Sequence, residues 1–463
     1  MRAFVMTATS KSLERFLLAF CAILALVVFA ASLRFAVRYP GIDLRSKVVG
    51  ARLLAAHRDA YPSPEAPAQN EYFRMFSADT YTPALLTAYL PLSPLPYRMQ
   101  RYFYFSLDWL CIAWLFLQTR SWFDAKHRMF HAAAFVLLLI LDPGMWLHLE
   151  RGQYYLELAA LMVIVLARCC KAGNGQQGTG RASTGHASWV SAVVLAILIL
   201  VRPTFGILLP ILWVQRLRTL TLRALLAAAA LLAVLVPAWG VQPWSGYLRT
   251  VSAIQQKTVN AIFHPSAANA EAAGIQKTKF AEGEDFSKSQ VTNYAISRTF
   301  LRVVALKGVQ PVAVKLFRTA RTLAAVNTAL LLAAASYCIL LAFRLRCQST
   351  LVKMGFALLA PTVIETFGPQ RNAYCDVTLV PIAILLLALV MRSGSPAGRH
   401  RRWLVVAACM CIFAAVGALI LPPLGRLIEV VSLARWLVLL LLVNASFMRI
   451  ARNAGQQEVT PAT

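Results

Sequence analysis

Acidic residues are scarce in this chain. Among 463 residues, 19 are aspartate or glutamate and 46 are lysine or arginine, and charged residues of both signs make up only 14%. A soluble domain carries roughly 25% charged residues, so this composition and its 59% hydrophobic content predict an integral membrane protein. The net charge of +27 lies in short basic clusters between apolar runs, which argues against nucleic acid as a partner.

Patterns for disulfides and metals are also lacking. The nine cysteines include no C-x-x-C pair and have no histidine at ligand spacing. Neither a DxD motif nor a histidine cluster stands out. The sequence therefore predicts no disulfide framework, no cofactor and no obligatory metal site, although Asp43 with a second carboxylate remains an alternative cation site.

Long apolar runs, in contrast, are abundant. Because a spanning helix needs about twenty apolar residues, the sequence predicts twelve spans and an all-α polytopic membrane protein. We place the spans near residues 14–37, 102–119, 129–147, 154–168, 188–201, 204–215, 222–241, 321–343, 351–367, 374–391, 403–421 and 431–448. The first run lacks a clear small-x-small cleavage site, so we interpret it as a retained anchor.

Basic residues collect in the stretches between alternate spans, opposed only by Glu14, Asp124 and Glu458. The positive-inside rule then places those stretches and both termini in the cytoplasm. One integral-membrane domain, 1–463, would carry a first extracytoplasmic loop, 38–101, and a large one, 242–320.

Two stretches depart from simple spans. The segment 81–97, "YTPALLTAYLPLSPLPY", has four prolines in seventeen residues and predicts a broken or re-entrant piece. The short runs 188–201 and 204–215 predict a hairpin that turns at Arg202 and Pro203.

Polar residues that are costly in a membrane concentrate on one predicted face. Charged side chains in hydrocarbon are expected to face a wet cavity, and the outer halves of the spans contain Asp108, Glu157, Glu365, Asp376, Arg34 and Arg435. The turns "HLERGQ" (148–153), "VRPT" (201–204) and "GPQRNAY" (368–374) open on the same side. We therefore expect an arginine-rich extracytoplasmic cavity.

Each of these residues also has a structural interpretation. Single arginines at helix ends commonly extend to water, which applies to Arg151, Arg202 and Arg371. Polar residues at turns commonly satisfy helix ends, which applies to Gln153, Asn372 and Tyr374. His148 is more often an interface residue than a ligand, and Asp108 and Glu365 are equally well explained as partners of Arg34 or Arg435.

The stretch "RYPGIDLRSK" (38–47) places one acid, Asp43, between Arg38 and Arg45. The following residues, "LRSKVVGARLLAAHR", predict a helix that lies along the membrane interface. Aspartate is a preferred N-cap, so Asp43 is predicted to cap this helix at the rim of the cavity, with Arg38 and Arg45 beside it.

Four segments in order carry a resemblance to a known family. They are "GIDLRSKVVGARLLAAHRDAY", "YTPALLTAYLPLSPLPY", "ERGQYYLELAALMVIVLA" and "LAILILVRPTFGILLPILWVQRLR", followed more loosely by "PQRNAYCDVTLVPIAILLLAL". The chain resembles the GT-C superfamily of membrane glycosyltransferases, in particular glycosyltransferase family 87, whose donors are polyprenyl-phosphate sugars. The family often has lysine where this chain has Arg202, and we match no family motif to the 242–320 loop.

The resemblance implies a GT-C-type fold in the bacterial inner membrane, with the active site on the extracytoplasmic side. It implies inverting transfer of a hexose such as mannose to a hydroxyl of a lipid or glycan acceptor, with Asp43 as the general base. Fixed cations stabilise a departing phosphate, and the candidates are Arg202, Arg371 and Arg151. The candidate substrate-binding residues are His148, Glu150, Gln153, Asn372 and Tyr374.

Two other classes remain open. A lipid-carrier polysaccharide ligase or polymerase has a similar expected topology, and its functional residues would lie late, for example at His264, Arg298 or Arg302. A secondary transporter of twelve helices predicts internal repeats and charges at the midplane; no convincing repeat is present, and the charges cluster outward.

Overall fold

The structure, a computed structural model, describes residues 2–38, 41–61, 81–140, 142–175, 184–263, 320–367 and 373–392, together with residues 441, 445 and 447. Within these ranges the chain forms helices and no strands. The α-helices are α1 (Arg2–Arg38), α2 (Ile42–Ala55), α3 (Pro83–Ala88), α4 (Tyr97–Arg120), α5 (Arg128–Phe135), α6 (Pro143–Arg151), α7 (Tyr155–Gly175), α8 (Thr184–Val201), α9 (Leu208–Val214), α10 (Arg218–Trp239), α11 (Gln242–Phe263), α12 (Ala320–Arg344), α13 (Thr350–Phe367) and α14 (Val380–Arg392). Short 3₁₀-helices cover Leu90–Leu92, Ala125–His127, Pro203–Ile207 and Ala373–Leu379, and a π-helix covers Val136–Ile140.

Four of the described helices are long and apolar enough to cross a membrane: Arg15–Arg34, Arg218–Trp239, Ala324–Arg344 and Thr350–Phe367. Most apolar side chains of α1 are exposed, and Phe16 and Leu26 each retain 67% of their accessible surface. Lipid rather than water is the solvent that suits such a surface. The protein is therefore an integral membrane protein, and the full count of twelve spans stays a prediction because 403–421 and 431–448 lie almost wholly outside the described residues.

The predicted span 129–147 is bent instead of straight, and the two helices that form it together have the length and apolar character of one broken span or a re-entrant loop. Helix α5 continues into the π-helix, and a new helix, α6, begins at Pro143, with a bend of 57° between Arg128–Ile140 and Gly144–Arg151. Asp142 is the N-cap, and its Oδ1 accepts the amide hydrogen of Gly144 at 2.6 Å. Proline fits the first position of a helix and breaks an interior, so the Asp-Pro-Gly sequence starts α6 instead of continuing α5.

Helix α7 lies at the centre of the described bundle and packs against α4, α8 and α13. Its core-facing side chains have no exposed surface, among them Leu156, Met162, Val163 and Leu166. Helix α8 packs along α10, and α9 packs against α12 and α13. The central position of α7 matters for the site, because the turn just before it carries several of the predicted functional residues.

The helices are interrupted at 81–97 and at Arg202, and a re-entrant position for 81–97 stays a prediction. Segment 81–97 consists of the six-residue α3, capped by Thr82, and the 3₁₀-helix Leu90–Leu92. Helix α8 ends at Val201, and Arg202 has an extended conformation before the next 3₁₀-helix. The Thr82 hydroxyl donates to the carbonyl of Val201 at 3.3 Å, which joins the two breaks.

Helix α2 forms as predicted, but its first residues differ from the expectation. The N-cap is Gly41, with a φ of 62°, and Asp43 lies in the first turn instead of capping it. Gly41 explains the shift, because glycine adopts this left-handed conformation without a steric penalty. The rim role predicted for Arg45 is wrong: Arg45 is 2% exposed and stacks 3.5 Å over the ring of Tyr97.

Helix α6 ends at a second left-handed glycine, Gly152, with a φ of 64°. The amides of Gly152 and Gln153 both donate to the carbonyl of His148, at 2.9 and 3.2 Å. A Cβ at position 152 would lie 2.7 Å from the Cβ of Leu44 on α2. The close approach of α2 to this turn therefore requires glycine.

Replacing Gly152 with alanine should lower the thermal unfolding midpoint of the detergent-purified protein clearly, because the left-handed conformation costs about 1–2 kcal/mol for a residue with a Cβ and Leu44 must also shift. Gly206→Ala is the matched control, since a Cβ there meets nothing within 4 Å. Equal midpoints for the two variants would contradict this view of the turn.

Candidate active site

The turn between α6 and α7, residues 148–155, is held by side chains from α2 and α4. Arg101 of α4 donates from Nη2 to the carbonyls of Leu149 and Glu150, at 2.6 and 3.0 Å. Tyr104 donates to the carbonyl of Gln153 at 2.5 Å. Carbonyls at the end of a helix lack partners within the helix, so these contacts satisfy the end of α6 and fix the turn.

Asp43 faces this turn from the first turn of α2. Arg151 donates to both carboxylate oxygens, through Nε to Oδ2 and through Nη2 to Oδ1 at 3.1 Å, and Gln153 donates through Nε2 to Oδ2. The side chains of Asp43 and Arg151 are 13% and 15% exposed. The carboxylate is therefore oriented by two neighbours and is still partly exposed.

Lys47 lies one turn further along α2 and is fully buried. Its Nζ donates to the carbonyl of Gly152 at 2.5 Å. Four tyrosine rings surround the ammonium group at 5.2 to 5.6 Å from their centroids: Tyr81, Tyr89, Tyr104 and Tyr154. Burial lowers the pKa of Lys47 to about 8, and the nearby charges of Asp43, Glu157 and Asp108 oppose that shift.

Arg202 forms a second ionic centre. Its Nε donates to Oε1 of Glu365 at 2.7 Å, and the hydroxyl of Thr204 donates to the same oxygen at 2.8 Å. Glu365 is 5% exposed, whereas the side chain of Arg202 is 20% exposed. The partner suggested for Glu365 was Arg34 or Arg435. That suggestion is wrong for Arg34, because Glu365 pairs with Arg202. The two residues are 163 positions apart, so the sequence does not reveal this pair.

Tyr154 connects the two centres. Its ring lies 5.3 Å from Lys47 Nζ, and its hydroxyl accepts a hydrogen bond from Nη1 of Arg202 at 3.4 Å. Tyr155 stacks on Tyr154 at 4.8 Å and also contacts the Arg202 guanidinium, 5.6 Å from the ring centroid. The two arginine–carboxylate pairs therefore belong to one contiguous polar region.

His148 is fully buried, and its Nε2 lies 3.1 Å from Oδ1 of Asp108, which is also fully buried. The structure thus pairs Asp108 with His148, and the suggested Arg34 is not its partner because it is exposed on α1. Glu157, from the first turn of α7, lies beside them.

The predicted site residues are brought together only in part. Arg151 and Gln153 both donate hydrogen bonds to Asp43. The carbonyl of Glu150 accepts a hydrogen bond from Arg101. Arg202 contacts the same region through its hydrogen bond to Tyr154. Arg371 and Asn372 lie outside the described residues, and Tyr374 belongs to the 3₁₀-helix Ala373–Leu379. The sequence did not single out Lys47, Arg101 or Tyr104 as site residues, because no local pattern distinguishes them from other residues near an interface.

Comparison with known proteins gives few matches. No protein-family model matches the chain, and no curated protein matches it. Two crystal structures of ArnT from Cupriavidus metallidurans, one bound to undecaprenyl phosphate and one in the apo state, align with a TM-score of 0.37 and 14% identity. They cover 96% and 93% of this chain and 81% and 75% of the ArnT chains. At this level of similarity the function has to be argued from the site.

The lowered pKa of Lys47 predicts a pH-dependent contribution to stability. Between pH of about 8 and pH 10.5, the ordinary pKa of lysine, Lys47 is protonated in the unfolded chain and has lost its proton in the folded chain. The stability of the wild type relative to a Lys47→Met variant should therefore rise with pH. We expect the difference in thermal midpoint, wild type minus Lys47→Met, to grow from pH 7 to pH 10. A difference that stays constant over this range would contradict the burial of a titrating lysine.

Proposed function

We propose that the chain is a membrane glycosyltransferase that moves a sugar, a hexose such as mannose, from a polyprenyl-phosphate donor to a hydroxyl of a lipid or glycan acceptor. The proposed location is the inner membrane, with the reaction at the extracytoplasmic face and both termini in the cytoplasm. The observation that carries the proposal is the partly exposed Asp43 carboxylate, oriented by Arg151 and Gln153 within an apolar helical protein.

Asp43 is proposed to accept the proton of the acceptor hydroxyl as that oxygen attacks the sugar with inversion. A phosphate leaving group departs without a proton, so one carboxylate suffices and a paired general acid, as in glycosidases, is not needed. Asp43 fits this single-base chemistry because its two neighbours are an arginine and an amide donor instead of a second carboxylate.

The negative charge that develops on the departing phosphate needs cations that are already in place. Arg202 is held by Glu365 and Tyr154, and Arg151 is held by Asp43. A fixed guanidinium suits a two-point phosphate contact better than a mobile ammonium does. We propose Arg202 as the principal phosphate ligand and keep Arg151 and Arg371 as further candidates.

The remaining predicted residues take different roles in this proposal. Gln153 and His148 are buried, so we propose that they position Asp43 and the α6–α7 turn without touching substrate. Glu150 is partly exposed and remains a candidate contact to the sugar or the acceptor, as do Asn372 and Tyr374.

Changing Asp43 to asparagine should reduce the rate of transfer by about 100-fold or more, because general-base catalysis typically contributes 10²–10⁴ in rate. The assay is transfer of radiolabelled sugar from a polyprenyl-phosphate donor to membrane lipid extract. Asp59→Asn is the control, since Asp59 is an acid of the same loop that accepts a hydrogen bond from the nearby Tyr61 amide, at 2.8 Å.

A second variant separates the base from its structural pair. Arg151→Gln breaks the same ion pair but keeps the carboxylate, so it should retain more transfer than Asp43→Asn. If both variants lost activity to the same extent and unfolded at the same lowered temperature, Asp43 would be only a structural partner of Arg151.

Replacing Arg202 with alanine should raise the KM for the donor by roughly tenfold or more, since a hydrogen bond between charged groups contributes about 1.5–3 kcal/mol. Removing Arg202 alone takes away the guanidinium that pairs with the buried Glu365, so the Arg202→Ala, Glu365→Gln double variant is measured beside it. Arg249→Ala, at an exposed position of α11, is the control for loss of positive charge. Unchanged donor affinity in the double variant would exclude Arg202 as the phosphate ligand.

A further inference from the structure

Three metal-ligating side chains converge in the interior of the described bundle. They are Asp108 of α4, His148 of α6 and Glu157 of α7, and one ligand atom from each lies within 4.8 Å of the others. Nε2 of His148 and Oδ1 of Asp108 are 3.1 Å apart, and both side chains have no exposed surface. Three different helices supply the cluster, so it is created by packing and not by a local motif.

Most of the polar atoms in this cluster lack hydrogen-bond partners. The unpartnered buried atoms are Oδ2 of Asp108, Nδ1 of His148 and both carboxylate oxygens of Glu157. Buried polar groups are nearly always hydrogen-bonded, and leaving them unpaired is costly. These unpaired atoms lie in one small region, where a bound cation would give the carboxylate oxygens a partner.

We propose that Asp108, His148 and Glu157 bind one divalent transition-metal ion of the Zn²⁺ or Mn²⁺ type. One imidazole nitrogen and two carboxylate oxygens form a nitrogen and oxygen donor set that suits these ions. Ligand atoms bound to the same ion at about 2.1 Å lie about 3.0–3.4 Å apart in octahedral or tetrahedral geometry, and His148 Nε2 and Asp108 Oδ1 are 3.1 Å apart. Glu157 would supply the third ligand atom, which lies within 4.8 Å of the other two.

Two nearby cations define the competing explanation. Lys47 and Arg101 both interact electrostatically with Asp108, and Lys47 also interacts with Glu157. In that case the carboxylates would serve only to balance the two buried cations. That explanation accounts for the charges but provides no hydrogen-bond partner for the two carboxylate oxygens of Glu157.

A bound ion would act on the α6–α7 turn. The carbonyl of His148 accepts the amides of Gly152 and Gln153, so fixing the imidazole would also fix the turn that presents Arg151 and Gln153 to Asp43. The ion is therefore proposed to position the site and not to touch substrate. The proposal does not depend on glycosyl transfer, and its test needs no activity assay.

The test uses the full-length protein purified in detergent, stripped with a chelator, loaded separately with Zn²⁺ and Mn²⁺, and freed of unbound ion. We expect one ion per chain by mass spectrometry of the metal content and a higher thermal unfolding midpoint with metal. The His148→Gln and Asp108→Asn variants should each have an affinity for the metal ion that is lower by about tenfold or more. His131→Gln should bind like the wild type, because His131 is equally buried but its Nε2 lies against the Thr119 hydroxyl at 2.8 Å.

Two results would overturn the proposal. One is wild-type protein that retains neither ion and shows no change in its unfolding midpoint, a result that does not rely on any variant folding. The other is a His148→Gln or Glu157→Gln variant that unfolds like the metal-free wild type yet retains as much ion as the loaded wild type. Either outcome would assign the carboxylates to balancing Lys47 and Arg101.

Discussion

The buried ammonium group of Lys47, donating to the carbonyl of Gly152, is the contact on which the candidate site depends. Lys47 and Asp43 are four residues apart on α2 and therefore lie on one face of that helix. Lys47 binds the backbone of the α6–α7 turn, while Asp43 binds the two side chains that flank Gly152, those of Arg151 and Gln153. One face of α2 thus fixes the position of the α6–α7 turn relative to the Asp43 carboxylate.

Burying an ammonium group is expensive unless its charge is compensated. The compensation here combines one carbonyl, the faces of four tyrosine rings and the carboxylate of Asp43. Because rings attract a cation without being charged themselves, they stabilise Lys47 and leave the Asp43 carboxylate paired with Arg151. Tyr154 extends the same network to Arg202 and Glu365, so the proposed base and the proposed phosphate ligand are coupled through one side chain.

The sequence predicted those features that depend on local composition. Apolar runs predicted an integral membrane protein, and the prolines of 81–97 predicted a broken segment. The polar turn "HLERGQ" indicated Arg151 and Gln153 as candidate site residues. The break at Asp142 and Pro143 was missed, although Asp-Pro-Gly is a recognised turn and cap signal, because the flanking residues are uniformly apolar. The N-cap was misplaced by two residues because the freedom of Gly41 outweighed the capping preference of Asp43. The pairings of Arg202 with Glu365 and of Asp108 with His148 join residues 163 and 40 positions apart, so only tertiary packing reveals them.

The central claim is that this polar region transfers a sugar from a lipid-linked phosphate. The most direct measurement uses purified protein in vesicles, supplied in turn with radiolabelled polyprenyl-phosphate hexoses and pentoses and with membrane lipid extract, and separates the labelled products by size. The account predicts a larger labelled product with at least one donor, formed with consumption of that donor. Accumulation of labelled sugar inside the vesicles, with no larger product from any donor, would contradict it and indicate a transporter.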